Sequence, residues 1–314
     1  MTQPWPLIPY PEWKATCTAL QLWSQIIGKY RLAHTPWVNH SWHATLYVHP
    51  RGLTTGPVRD GDNLISLMLD FHDHALIVES SNGQRRLAPL EPMSVADFLA
   101  RTAEAIAGVG GHFAENGRPN EVESPVRFAD DLVLRPYERD AVERFHRALI
   151  SIDQVFQLFR SGFIGKASPS HLFWGSFDLA VTRFSGRLAP AHPGGVMNLP
   201  DTVSREAYSH EVSSAGFWPG GSGVDEPMFY SYAYPAADGF KRGSVEPAEA
   251  EFNEQLGEFL LPYEAVRTSL NPAETLMRFL QTTYAAAADT GNWDLGRLEC
   301  PLGQPGVPRQ VPNA

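Results

Sequence analysis

Between His171 and Trp218 the sequence gathers the side chains best suited to chemistry: His171, Asp178, His192, His210 and Glu211, interleaved with Trp174, Ser176, Arg183, Arg187 and Trp218. A mostly apolar pocket with a few convergent polar groups has this composition. A histidine beside a carboxylate can hold one tautomer and have its basicity tuned for acid–base work. Asp178 is the most informative member. The stretch from His171 to Phe184 reads as one strand, whose alternation puts Phe173, Phe177, Leu179 and Val181 toward a core and Trp174, Ser176, Asp178, Ala180 and Thr182 on the opposite side. Asp is disfavoured in mid-strand because its side chain competes for backbone hydrogen bonds. Something must compensate it: Arg183 or Arg187, backbone donors of a nearby loop, or the imidazoles or metal of an acid–base site.

The next strand, around Ala207 to Trp218, places Tyr208, His210, Val212 and Ser214 on one face and Ser209, Glu211, Ser213 and Ala215 on the other. A register that set His210 across from Asp178 would make a His–carboxylate pair. The expected catalytic groups are therefore Asp178, His210, Glu211 and Arg183, with Trp174, Ser176, Arg187, Trp218 and Tyr230 as ligand-binding groups. His171, His192 and His210 are candidate ligands for a divalent transition metal, since imidazole and carboxylate suit zinc, iron, nickel or manganese. Tyr230, Tyr232 and Tyr234 alternate on one strand face, where they either line a cavity or cover the water-facing edge of a sheet. Gly216 to Gly223 is a glycine-rich stretch with bulky aromatics, a shaped loop beside a pocket rather than a phosphate cradle.

A second histidine group lies earlier, with His40 and His43 flanking Trp42, and His72 and His74 flanking Asp73. Its spacing is not that of a helical HExxH motif, and whether these four join the site is left open by the sequence. No GxxxxGK[ST] loop, GxSxG elbow or GxGxxG turn is present.

The elements that must position these residues follow from periodicity. Trp13, Cys17, Leu20, Trp23 and Ile27 form a helical stripe, and Trp42 to His49 is strand-like. Strands around Ile65 to Phe71 and His74 to Glu79 flank further turns, including Ser81-Asn82-Gly83. A helix capped by Ser94 with Asp97 at its third position ends at Gly108, Gly110 and Gly111. Val142, Phe145, Leu149, Ile152, Phe156, Phe159 and Phe163 mark a helix from Asp140 to Phe163, followed by the strands already named, Met228 to Tyr234, and Glu258 to Leu261. A last helix has Asn271 as cap, Pro272 at N1 and Glu274 at N3. The order helix, antiparallel meander, helix occurs twice, so the fold class is α+β with two pseudo-repeated units, residues 1–124 and 125–300, joined near Pro125 to Asp140, and a loosely held Pro-rich tail at 301–314.

Composition bounds the partners. With 35 acidic against 25 basic side chains, a formal net charge of −10 and no basic stripe, nucleic acid is excluded as an expected partner. No segment has the length of a membrane-spanning helix, and the first residues lack a signal-peptide pattern, which points to a cytoplasmic location and a small-molecule ligand. The two cysteines, Cys17 and Cys300, read as reduced and structural.

The runs Ser170 to Arg187, His192 to Gly195, Glu206 to Ser214, Asn39 to His43 and Arg51 to Thr55 resemble a bacterial family of about this length known only as a domain of unknown function, over roughly Trp5 to Asp294. The resemblance implies a cytoplasmic bacterial protein and carries no activity. Two function classes fit the residues: an enzyme acting on a small polar molecule through a His/carboxylate pocket, with or without a divalent metal, or a non-catalytic ligand-binding or scaffold protein whose polar groups tie the halves together.

Overall fold

In the computed structural model, which describes residues 4–114, 117–221 and 224–309, the chain is α+β. The first helix, α1 (Tyr10–His34), is buried along most of its circumference, with Trp23 stacked at 4.9 Å on Phe98. A 3-10 segment, Asn39–Ala44, then leads to β1 (Tyr47–His49), β2 (Gly52–Thr54), β3 (Val58–Asp60), β4 (Asn63–Asp70), β5 (Ala75–Ser80) and β6 (Arg85–Pro89). All pair antiparallel in the order β1-β2-β4-β5-β6, with β3 prolonging β2 along β4. Helix α2 (Val95–Ala107) carries the anticipated capping box: the Ser94 hydroxyl accepts from the Asp97 amide, and the Asp97 carboxylate accepts back.

The second half opens with α3 (Arg139–Ser161), whose Phe145, Phe156 and Phe159 are buried as their spacing requires. Phe145 sits 5.1 Å from Trp13 and 5.5 Å from Phe177, so α3 joins α1 to the second sheet. That sheet comprises β7 (His171–Phe173), β8 (Asp178–Leu188), β9 (His210–Trp218), β10 (Met228–Tyr234), β11 (Glu251–Asn253) and β12 (Glu258–Pro262). A short helix, α4 (Asp201–Ala207), precedes β9, and α5 (Tyr263–Arg267) and α6 (Pro272–Thr290) follow β12. Asn271 caps α6 by accepting from the Glu274 amide at 3.3 Å.

Each half therefore runs helix, antiparallel sheet, helix, but the sheets are wired differently. The first is a simple meander, whereas the second has the order β11-β12-β10-β9-β8-β7, with its last hairpin turned so that β12 rather than β11 adjoins β10. The sheets meet edge to edge where Leu46, just before β1, and Leu172 in β7 exchange backbone hydrogen bonds of 2.9 and 2.8 Å.

Several expected elements are corrected. His171 to Phe184 is a hairpin, not one strand: the chain turns at Trp174–Phe177, with Phe177 at φ 60°. Trp42 to Ala44 belong to the 3-10 segment, in which His40 and Ser41 both occupy the left-handed region. The strand expected from Ala207 begins only at His210, because Ala207 ends α4 and Tyr208 and Ser209 link the two, and β6 goes unanticipated because Arg85 and Arg86 give it no apolar alternation. Ser222, Gly223 and residues 310–314 of the expected loop and tail lie outside the described residues.

Candidate functional site

Strand parity and small residues together make a trough on one face of the second sheet. Thr182, Ser214 and Tyr232 form one row across β8, β9 and β10, and Ala180, Gly216 and Tyr230 form the next. A Cβ at Gly216 would run into the Tyr230 ring and hydroxyl, so glycine there lets the ring lie across the middle strand toward β8. The Tyr230 hydroxyl donates to Oδ2 of Asp178, and the Ser176 hydroxyl donates to Oδ1. Asp178 therefore opens β8 rather than lying in mid-strand, and it is compensated by two neutral donors, with no cation in contact among the described residues.

Above this floor is a cavity of about 540 Å³ between the two halves of the chain. The second half supplies Trp174, Ser176, Asp178, Thr182, Tyr208, Ser214, Trp218, Tyr230, Tyr232 and Glu258. The first half supplies Lys29 from α1, the 3-10 segment from His40 to Ala44, and Asn120 and Glu121 from the loop after α2. That loop is clamped on both sides. Asn120 donates from its amide to Gln25 Oε1 at 2.8 Å and from Nδ2 to the Asn198 carbonyl at 2.6 Å, while Lys29 donates to Asn120 Oδ1 at 2.6 Å. Gly175 leaves the space filled by the Glu121 carboxylate, where any Cβ would clash. The Trp174 indole N–H donates to the Ala44 carbonyl, fixing one wall across the junction of the halves.

Burial sets the electrostatics. It raises the pKa of Asp178, opposed by its hydrogen bonds from Ser176 and Tyr230. Burial, and then the nearby Asp178 charge, push Glu121 and Glu258 up to about 7 each. Among the described residues no basic side chain contributes to any of these three shifts. Glu258 Oε2 has no hydrogen-bond partner among the described residues, nor do Ser41 Oγ, His43 Nε2 and Ser204 Oγ, all of them buried atoms of cavity-lining residues. Tyr230 and Tyr232 are held protonated by burial, Tyr230 further by Asp178. Lys29, whose ammonium lies 5.4 Å from the Trp174 ring centre, is lowered to about 8 by desolvation.

His40 sits at the cavity in a strained conformation, φ 61°, held from three sides. Its amide donates to Glu206 at 3.0 Å, Lys166 Nζ donates to its Nε2 at 2.6 Å, and the remaining ring N–H is then Nδ1, which donates to the Ala207 carbonyl at 2.7 Å. The ring is neutral, its pKa lowered first by desolvation.

Of the residues expected from sequence, Asp178, Trp174, Ser176, Trp218 and Tyr230 come together in this cavity. The proposed Asp178–His210 pair is overturned by register. Leu179 pairs with Phe217 and Leu188 with His210, which separates the two by most of a strand, roughly 25 Å at the usual rise. His210 instead lies 5.7 Å from the His40 ring. Glu211 accepts from Arg187 at 2.7 Å and from Ser185 at 2.7 Å, an ion pair away from the cavity lining. Arg183 is buried on the other face of β8, its guanidinium 3.6 Å from the Phe159 ring centre and 4.4 Å from that of Tyr284. Phe173, expected in the core, lines the cavity because the hairpin turn resets the alternation.

The three candidate metal ligands are dispersed: His171 against Trp42 and Phe173, His192 stacked at 4.6 Å on Tyr208, and His210 against His40. Among the described residues no group of three or more His, Cys, Asp or Glu side chains is placed to hold a metal ion. Of the first-half histidines, His40 and His43 line the cavity, whereas His74 bonds the Tyr137 hydroxyl at 3.0 Å and His72 lies 5.7 Å from His146.

Lys29, Asn120, Glu121 and Glu258 are among the lining groups that escape the sequence reading. Lys29 had a visible signal, a cation in the apolar run Ile26-Ile27-Gly28-Lys29-Tyr30. Glu121 sits in an irregular loop with no periodicity to reveal its direction.

The chain matches the family of unknown function DUF5996 over residues 5–300 and belongs to that family. No curated protein and no solved structure matches it. Among the described residues no helix is long and apolar enough to cross a membrane.

Proposed function

We propose that the protein is an enzyme acting on a small polar organic molecule held in the cavity between its halves, with carboxyl groups as its acid–base machinery. The observation that carries this reading is the grouping of Glu121, Asp178 and Glu258 around one aromatic cavity. Carboxyls titrating near 7 can give or take a proton at neutral pH with little driving-force penalty, which is the requirement for general acid–base catalysis. Asp178, held by Tyr230 and Ser176, is the fixed member of the group. The volume fits a ligand of metabolite size.

The test is to incubate wild-type protein and the Asp178→Asn and Glu121→Gln variants with a mixture of small metabolites and follow each compound by mass spectrometry. Consumption of one compound by wild type, lost in both folded variants, supports the enzyme. Retention of a compound without conversion would replace it with a non-catalytic binding protein.

A further inference from the structure

We propose that the cavity selects an organic cation, an amine or quaternary ammonium carrying an apolar group. The inference rests on reading the cavity as a ligand site, and it stands whether or not the ligand is transformed.

Three features of the cavity point the same way. Its walls are aromatic, with Trp174, Trp218, Tyr230 and Tyr232 from the second half and Trp37 and Trp42 from the first. Such ring faces attract cations, and most strongly where water is excluded. Its acidic groups outnumber its basic ones: Glu121, Asp178 and Glu258 face a single lysine, Lys29, whose ammonium is already engaged by Asn120 Oδ1. Its lining also holds polar atoms without a partner among the described residues: Glu258 Oε2, an acceptor once ionised, and Nε2 of His43, a side chain only 2% exposed. Buried polar groups are nearly always satisfied, so orphaned atoms in a cavity mark where a ligand supplies the missing partner. An ammonium N–H can donate to Glu258 while its carbon substituents lie against the indoles. The formal net charge of −10 adds long-range attraction of the same sign.

A bound cation would favour the ionised glutamates. Below about pH 7 they hold protons in the empty cavity, so binding should release protons and the affinity should rise with pH up to that value. The other groups facing them are Tyr208, Tyr230 and Tyr232, all raised above the ordinary phenol range, His40 and His43, both lowered by desolvation, and Lys29, which titrates near 8 and so beyond this window.

The experiment compares 2-phenylethylamine and benzyltrimethylammonium with neutral 2-phenylethanol and anionic phenylacetate, by tryptophan fluorescence and by calorimetry in two buffers of different ionisation enthalpy. The expected result is that both cations bind at least about tenfold tighter than the alcohol. Phenylacetate should bind weakest, protons should be released below pH 7, and Glu258→Gln should narrow the cation–alcohol gap while the far-ultraviolet circular dichroism stays unchanged. Equal or tighter binding of the alcohol or of phenylacetate would overturn the inference, as would failure of both cations to bind. Cation binding without any turnover would leave it standing and remove the catalytic reading. Turnover of a neutral or anionic compound would do the reverse.

Discussion

The hydroxyl of Tyr230 donates to the carboxylate of Asp178 across the strand that separates them, over the space left by the missing side chain of Gly216. A buried carboxyl satisfied by two neutral hydroxyls keeps its desolvation cost and gains no ion pair in return. Asp178→Asn should therefore leave the melting temperature unchanged or raise it at neutral pH, while kcat/KM on a compound that the metabolite mixture shows to be consumed falls by about 10²–10⁴-fold. A large drop in melting temperature with activity retained would make Asp178 a structural residue.

Gly216→Ala puts a methyl group into the Tyr230 ring, and overpacking of this kind costs about 1–3 kcal/mol. The loss should be partly recovered by adding Tyr230→Leu, because the two side chains contend for one space. Urea denaturation of the single and double variants checks this, and strictly additive effects would contradict it.

The glutamates make stability depend on pH in a stated direction. Their folded pKa near 7 exceeds the ordinary 4.5, so between those values the folded protein binds more protons than the unfolded chain, and their contribution to stability falls as pH rises. Glu121→Gln and Glu258→Gln should each remove part of that fall. Melting temperatures of wild type and variants across this range should therefore diverge toward higher pH, with the variants more stable; parallel curves would refute the assignment.

His171 works in the opposite sense. Burial lowers it from 6.5 to about 3, so through that interval the unfolded chain binds more protons and stability contributed by the neutral ring is lost as pH falls. Neither ring nitrogen has a hydrogen-bond partner among the described residues, and His171→Leu should keep or increase stability, most of all toward the acid end of the interval. A loss of several kcal/mol in chemical denaturation would mean that the ring has a partner in solution.

Phe156 on α3 is fully buried, and Phe156→Ala should cost about 3–5 kcal/mol through lost burial and the remaining cavity. An unshifted denaturation midpoint would contradict the packing of that helix.

Local signals made much of this legible from the residues. Ser94 with Asp97 and Asn271 with Pro272 mark helix starts through short-range bonds, and the Met228–Tyr234 strand is bounded as its alternation implies. The polar face holding Asp178 was recognisable because a turn at Gly175 leaves Trp174, Ser176 and the even residues of β8 on the cavity side. What stayed hidden depends on register and on distant loops. His210 and Asp178 lie on the same face of the sheet, and only the pairing of Leu188 with His210 reveals that they sit at opposite ends. Glu121 reaches the cavity because its loop bonds Gln25 and Asn198, contacts that no local pattern encodes.

The Leu46–Leu172 bridge bears on how the molecule avoids its own kind. An open sheet edge presents unpaired amides and carbonyls to any passing strand, and two separate sheets would offer four such edges. By joining the β1 and β7 edges to one another, the fold leaves β6 and β11 as the ends of the joined sheets, with the three-residue β3 also paired on one side only among the described residues. Those two ends carry Arg85, Arg86 and Pro89 on one side and Glu251 on the other, all exposed. Charge and proline discourage intermolecular pairing where the edge is open, while Leu46 and Leu172, fully buried at the seam, are free to be apolar.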